Sequence, residues 1–211
     1  MGQPILIDND ALLKLARYGL LNESIALFGC APDEVRVLAT AKYSLFPARN
    51  HLRLCKDEES AARLTEFLKV STPLDATLAD PELLDALNAV QNIDAGESLL
   101  FAVGATEKNT LVVTGDKRSL AALCSNDSVA QVFSALAGRV VSMEVLFLYL
   151  IERQFVYVQQ CVRSKPEADK ALSIAFGVSI SADFNSVREG LTSYIRHLQN
   201  ITGGLLYTLP T

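Results

Sequence analysis

Apolar residues along this chain fall into short runs separated by longer segments in which they recur every three or four positions. Ile5–Ile7, Val35–Ala39, Leu111–Val113 and the shorter Val140–Val141 are strand-like. No run leads into the next through a tight hairpin turn; each is followed by a helical pattern. That alternation predicts an α/β fold, a parallel sheet with helices packed on its faces.

The helices carry their own start signals. Asp57 precedes an amphipathic run through Leu64, Phe67 and Leu68, and Asp80-Pro81 places an N-cap before a proline at the first helical position. Asp94-Ala95-Gly96-Glu97 opens a helix that is apolar nearly all round through Val103, as expected of one packed on both sides. After Ser142 a long helix runs to about Cys161, Lys165-Pro166 breaks it, and helical segments follow near 167–176 and 183–200. The reading divides the chain into an α/β domain at 1–145 and a helical extension at 146–211. Leu172, Ile174, Phe176, Leu191, Ile195 and Leu198 give the extension apolar faces that need covering by the domain, a second copy or a partner. With helices already on both sheet faces, a homodimer or a bound inhibitor is expected to cover part of them.

Composition narrows the function. Half of the 211 residues are hydrophobic and 20% are charged, a globular balance far from disorder. Cys30, Cys55, Cys124 and Cys161 are scattered without metal-ligand or disulfide spacing and read as reduced. No basic leader precedes the first strand, and Val140–Ile151, the most apolar stretch, contains Glu144 and is too short to span a bilayer. A soluble, cytoplasmic protein is expected. The net charge of −5 argues against nonspecific coating of nucleic acid but not against an enzyme whose site is a carboxylate cluster.

Three acids stand at element ends. Asp8 follows the first strand, and Asp116 follows Thr110–Thr114 after a glycine. Carboxylates at the carboxyl ends of parallel strands meet in one crevice. Glu97 lies in the first turn of its helix, on the stripe of Leu100, Phe101 and Gly104 that must face the sheet. Such acids repel unless a cation joins them, and hard oxygen donors suit Mg²⁺ or Mn²⁺. Each also has a plainer role: Asp94 and Glu97 have capping-box spacing, Asp116 suits an N-cap, and Asp8 suits a turn.

The ordered segments ILIDND, DAGESLLFAVGAT and TLVVTGDKRSL resemble the PIN-domain nucleases, with three motifs matched in order across 1–145. The resemblance implies a three-layer fold around a five-stranded parallel sheet and a metal-dependent ribonuclease, often the toxin of a toxin–antitoxin pair. It places metal binding and catalysis on Asp8, Glu97 and Asp116, with Thr114 as the hydroxyl before the third acid. Many members carry a fourth acid shortly after the third, where this chain has Lys117, Arg118 and Ser119; Asp94 and Asp10 are the candidate substitutes.

For the RNA substrate, Lys117 and Arg118 flank Asp116, and the acid-free stretch Arg36–Lys56 offers Lys42, Arg49 and Arg53 with Tyr43, Phe46 and His51 interleaved. An ordinary solvated helix face explains that stretch equally simply. His51 and His197 lack any neighbouring nucleophile and read as structural or surface residues. Two rival functions remain: a PIN-like module that binds RNA or protein without cutting, and a haloacid-dehalogenase-type phosphatase with Asp8 as nucleophile and Asp10 as general acid. The phosphatase also requires an acid near Leu120 that the chain lacks.

Overall fold

The computed structural model describes residues 3–50 and 52–208. Strands β1 (Ile5–Ile7), β2 (Val35–Val37), β3 (Thr72–Pro73), β4 (Leu111–Thr114) and β5 (Val140–Ser142) form one parallel sheet in the order β3-β2-β1-β4-β5. The central strand is apolar throughout because both of its faces are covered, and Ile5, Leu6 and Ile7 are all buried. Ile7 pairs with Val37 on one side and Val113 on the other, so β1 ends level with β2 and one residue short of β4. Winding proceeds outward from β1 in one direction through β2 and β3, and in the other through β4 and β5. The chain therefore diverges after β1 and β4, which opens a crevice at their carboxyl ends.

The helices are α1 (Asn9–Tyr18), α2 (Leu21–Ala26), α3 (Ala41–Leu45), α4 (Glu58–Val70), α5 (Pro81–Asn88), α6 (Ala95–Thr106), α7 (Lys117–Ser125), α8 (Ala130–Leu136), α9 (Met143–Ser164), α10 (Lys170–Phe176) and α11 (Phe184–Thr202). Helix α1 packs with α2, α4 and α9, and α6 packs with α5 and α8, giving the expected three layers. A Cβ at Gly104 would stand 2.8 Å from Val112 Cγ2, so the missing side chain lets α6 lie close on β4. The expected long helix after Ser142 is α9, whose regular geometry breaks at Gln154 (φ −146°, ψ 56°).

The extension is tied to the rest of the chain by packing and charge. Phe147 of α9 meets Tyr18 of α1 and Phe176 of α10 edge-on, at centroid separations of 5.5 and 6.2 Å. Lys14 contacts Asp169 at 2.8 Å, Lys165 contacts Asp57 at 2.7 Å, and Arg17 pairs with Glu167. Past α11, Leu206 lies parallel to Val140; the Val140 amide donates to Leu205 at 3.2 Å and the Tyr207 amide donates back to Val140 at 2.8 Å.

These contacts correct the reason for expecting a homodimer or inhibitor on the extension. Leu172, Phe176, Leu191, Ile195 and Leu198 are buried within the chain's own continuous core, and of the six residues only Ile174 is exposed. Burying a leucine contributes about 1.5–3 kcal/mol, so uncovering a few of them removes much of a typical stability of about 5–15 kcal/mol. A chain truncated after Ile151 should aggregate or melt without a cooperative transition in circular dichroism. A truncated chain that kept a sharp melt near the parent's would mark the extension as energetically separate. No helix among the described residues is long and apolar enough to cross a membrane.

Candidate active site

Asp8 is the first residue past β1, and its amide still donates to Val113 at 3.0 Å. Its side chain caps α1: Oδ1 accepts from the Ala11 amide at 2.5 Å. Oδ2 accepts from the Gly115 amide at 3.0 Å and from the Thr114 hydroxyl. Despite these donors the carboxyl is pushed up to about 6, because burial outweighs the bonds from Thr114 and Ala11, and Asp10 adds a like charge.

Asp116 caps α7, with Oδ1 accepting from Arg118 N at 2.8 Å and Ser119 N at 3.3 Å. Its own amide donates to Thr114 Oγ1 at 3.1 Å, so Thr114 links the first acid to the third. Glu97 and Asp94 form the reciprocal capping box of α6: Glu97 N donates to Asp94 Oδ1 at 2.8 Å and Asp94 N to Glu97 Oε2 at 2.9 Å. Burial, then the charges of Asp94 and Asp116, lift Glu97 to about 7 against the opposing Asp94 amide and Ser119 hydroxyl. Three helix N-termini thus converge on the place where the acids gather, and their dipoles favour negative charge there.

The acids line one cavity of about 500 Å³, together with Asn9, Asp10, Thr40, Ser44 and Leu100. Asp10 leans over Gly115, where a Cβ would stand 2.3 Å from its Oδ2, and pairs with Lys14 at 2.7 Å. Among the described residues no three His, Cys, Asp or Glu side chains already converge as a metal cage. The carboxylates accept from backbone amides, chiefly at the three helix N-termini. The donor set nevertheless suits a hard cation: it is all oxygen, and the buried Asn9 Oδ1 in the cavity wall has no hydrogen-bond partner.

The expected substrate contacts divide. Thr114 is buried and serves Asp8. The ammonium of Lys117 pairs with Glu144 and sits 5.4 Å from the centre of the Tyr194 ring, toward α9 and α11. Arg118 is exposed and reaches Asp116 Oδ2 at 3.4 Å. Lys42, Arg49 and Arg53 are exposed on α3 and the turns after it, outside the cavity lining. His197 is exposed on α11, and His51 lies outside the described residues.

The sequence reading missed Asn9 and Glu144. Glu144 stands two residues past β5, as Asp116 stands two past β4, and Thr114 pairs with Ser142 in register. It is buried, with Oε1 on Lys117 and Oε2 unpartnered. The one available signal was an acid inside the most apolar run of the chain.

Fold and site together define a three-layer α/β protein with an acidic crevice at the point where its sheet winding reverses. The chain matches no protein-family profile, no curated protein and no solved structure.

Proposed function

We propose that this chain is a metal-dependent ribonuclease of the PIN type. The observation that carries the reading is the presence of Asp8, Glu97 and Asp116 in the lining of one crevice, with two of them driven toward protonation by burial and by neighbouring acids. Asp8, Glu97 and Asp116 would hold Mg²⁺ or Mn²⁺, with Asn9, Asp10 and Asp94 within the same cavity. Such an ion supplies Lewis-acid activation of water and neutralises charge on a phosphodiester.

The protein's own part is positional. Thr114 fixes the Asp8 carboxylate, Gly115 leaves room for Asp10, and Arg118 is free to turn from Asp116 to a phosphate oxygen. Lys117, held by Glu144, offsets the acidity of this end of the sheet without reaching into the cavity. In the toxin form of the reading the enzyme works in the cytoplasm and a cognate protein inhibitor blocks the crevice.

A second reading, a module that binds RNA or protein without cutting, is favoured by one observation: Asp8, Asp116 and Glu97 all act as helix caps. Incubating the full chain with end-labelled RNA in Mn²⁺, Mg²⁺ or EDTA separates the two. Cleavage with either ion and none in EDTA is the expected outcome; intact RNA under all three conditions leaves the binding module.

A further inference from the structure

Helix α3 has two working faces. Thr40 and Ser44, one turn apart, line the acidic crevice, whereas Lys42, Tyr43 and Phe46 line a separate groove of about 480 Å³ against Thr65, Leu68 and Lys69 of α4. A helix with its side chains is about 10 Å across, and α3 with its flanking residues contributes to the lining of both.

The groove differs chemically from the crevice. Its lining is mostly apolar, and both of its charged residues are lysines, on a chain whose net charge is −5. Tyr43 is 78% exposed, an unusual place for an aromatic ring that has no partner to cover it. Lys42 closes no ion pair with any described residue. Lys69 has only a solvent-exposed pair with Glu66 at 2.6 Å, which an incoming phosphate can displace. An accessible ring, an apolar floor and two cations at the rim fit a flat heteroaromatic group attached to a phosphate.

We propose that the α3–α4 groove seats an unpaired nucleotide of a single-stranded RNA, whose neighbouring phosphate enters the acidic crevice across α3. This rests on the ribonuclease reading for the identity of the strand. Tyr43 stacks on the base, Phe46 and Leu68 form the floor, and Lys42 and Lys69 hold the backbone. A paired base has its faces covered by its neighbours and cannot enter, so the groove selects single strands.

The test is fluorescence anisotropy with the full chain and a short fluorescein-labelled 2′-O-methyl oligouridylate in EDTA, which withholds the metal that cleavage requires. Tyr43→Ala and Lys42→Ala should each weaken binding about 10-fold, and Tyr43→Phe should retain it, since stacking needs the ring and not the hydroxyl. A paired hairpin should bind weakly and equally to the parent and to Tyr43→Ala. Unchanged affinity in both alanine variants overturns the proposal. So does absence of binding by the parent, which would leave the groove to an apolar protein segment. A parallel cleavage assay on the unmodified oligonucleotide separates the two ideas. Cleavage lost in Asp8→Asn but indifferent to Tyr43→Ala and Lys42→Ala sinks the subsite and keeps the nuclease. Tyr43-dependent binding without metal-dependent cleavage does the reverse.

Discussion

Asp8→Asn and Asp116→Asn are each expected to slow Mn²⁺-dependent RNA cleavage by at least about 100-fold, since even partners one shell removed from a metal typically cost 10–100-fold. Both substitutions keep the shape and a capping oxygen, and remove a charge the cation requires. At Asp8 the replacement amide meets three donors, from Ala11, Thr114 and Gly115, so its NH₂ must face one of them at a cost of about 1–3 kcal/mol. Relief of the buried charge acts in the opposite direction. The net change in metal-free stability at neutral pH is therefore expected to be small. Cleavage rates per folded molecule, with melting temperatures in EDTA, check both halves. A variant that melts far below the parent yet cuts normally would mean that the aspartates serve only as caps.

Metal-free stability is expected to fall as pH rises from about 4 to about 7. Folding raises Asp8 from 3.8 to about 6 and Glu97 from 4.5 to about 7, so the native chain binds more protons than the unfolded one across that window. Their stabilising protonation is complete below the ordinary carboxyl range and is lost as pH climbs through the folded values. The Asp8 shift corresponds to about 3 kcal/mol, and Glu97, still partly solvated, contributes less than its shift suggests. Asp57 opposes this at the acid end. Burial would raise it, but Lys165 and the Ser60 amide outweigh burial and bring it to about 2, so its contribution disappears only in stronger acid. Urea midpoints near pH 5 and pH 8 in EDTA measure the slope. Asp8→Asn should flatten the profile, and Mn²⁺ should restore stability at the higher pH by binding the ionised native state. Identical profiles for the parent and Asp8→Asn would show that burial does not govern Asp8.

The central strands and the acids were readable because each has a local cause. Ile5–Ile7 and Leu111–Val113 are buried on both faces and so are apolar at every position, and Asp8, Asp94 and Asp116 stand where helices need caps. Strand β3 has no such signal: Thr72 and Pro73 are exposed, and the pairing depends on neighbouring Arg36 and Val37. Lys117 looked like a phosphate ligand because sequence places it beside Asp116, but the direction of its side chain depends on Glu144 and Tyr194. Such a choice depends on tertiary packing and leaves no mark in local spacing. The same holds for Lys14, which bridges Asp10 at the rim and Asp169 of the extension.

Sheet borders expose unsatisfied amides and carbonyls that recruit strands from other molecules. Here one border is the two-residue β3, half of it proline, which cannot donate a bond. The opposite border, β5, is screened by Leu205–Tyr207 of the same chain through the bonds at Val140. Both borders are therefore poor templates for strand addition: Pro73 lacks a donor on one, and the amide and carbonyl of Val140 are already paired on the other. The closing segment after α11 thus covers the start of β5: cutting it away would leave the amide and carbonyl of Val140 open to a strand from another molecule.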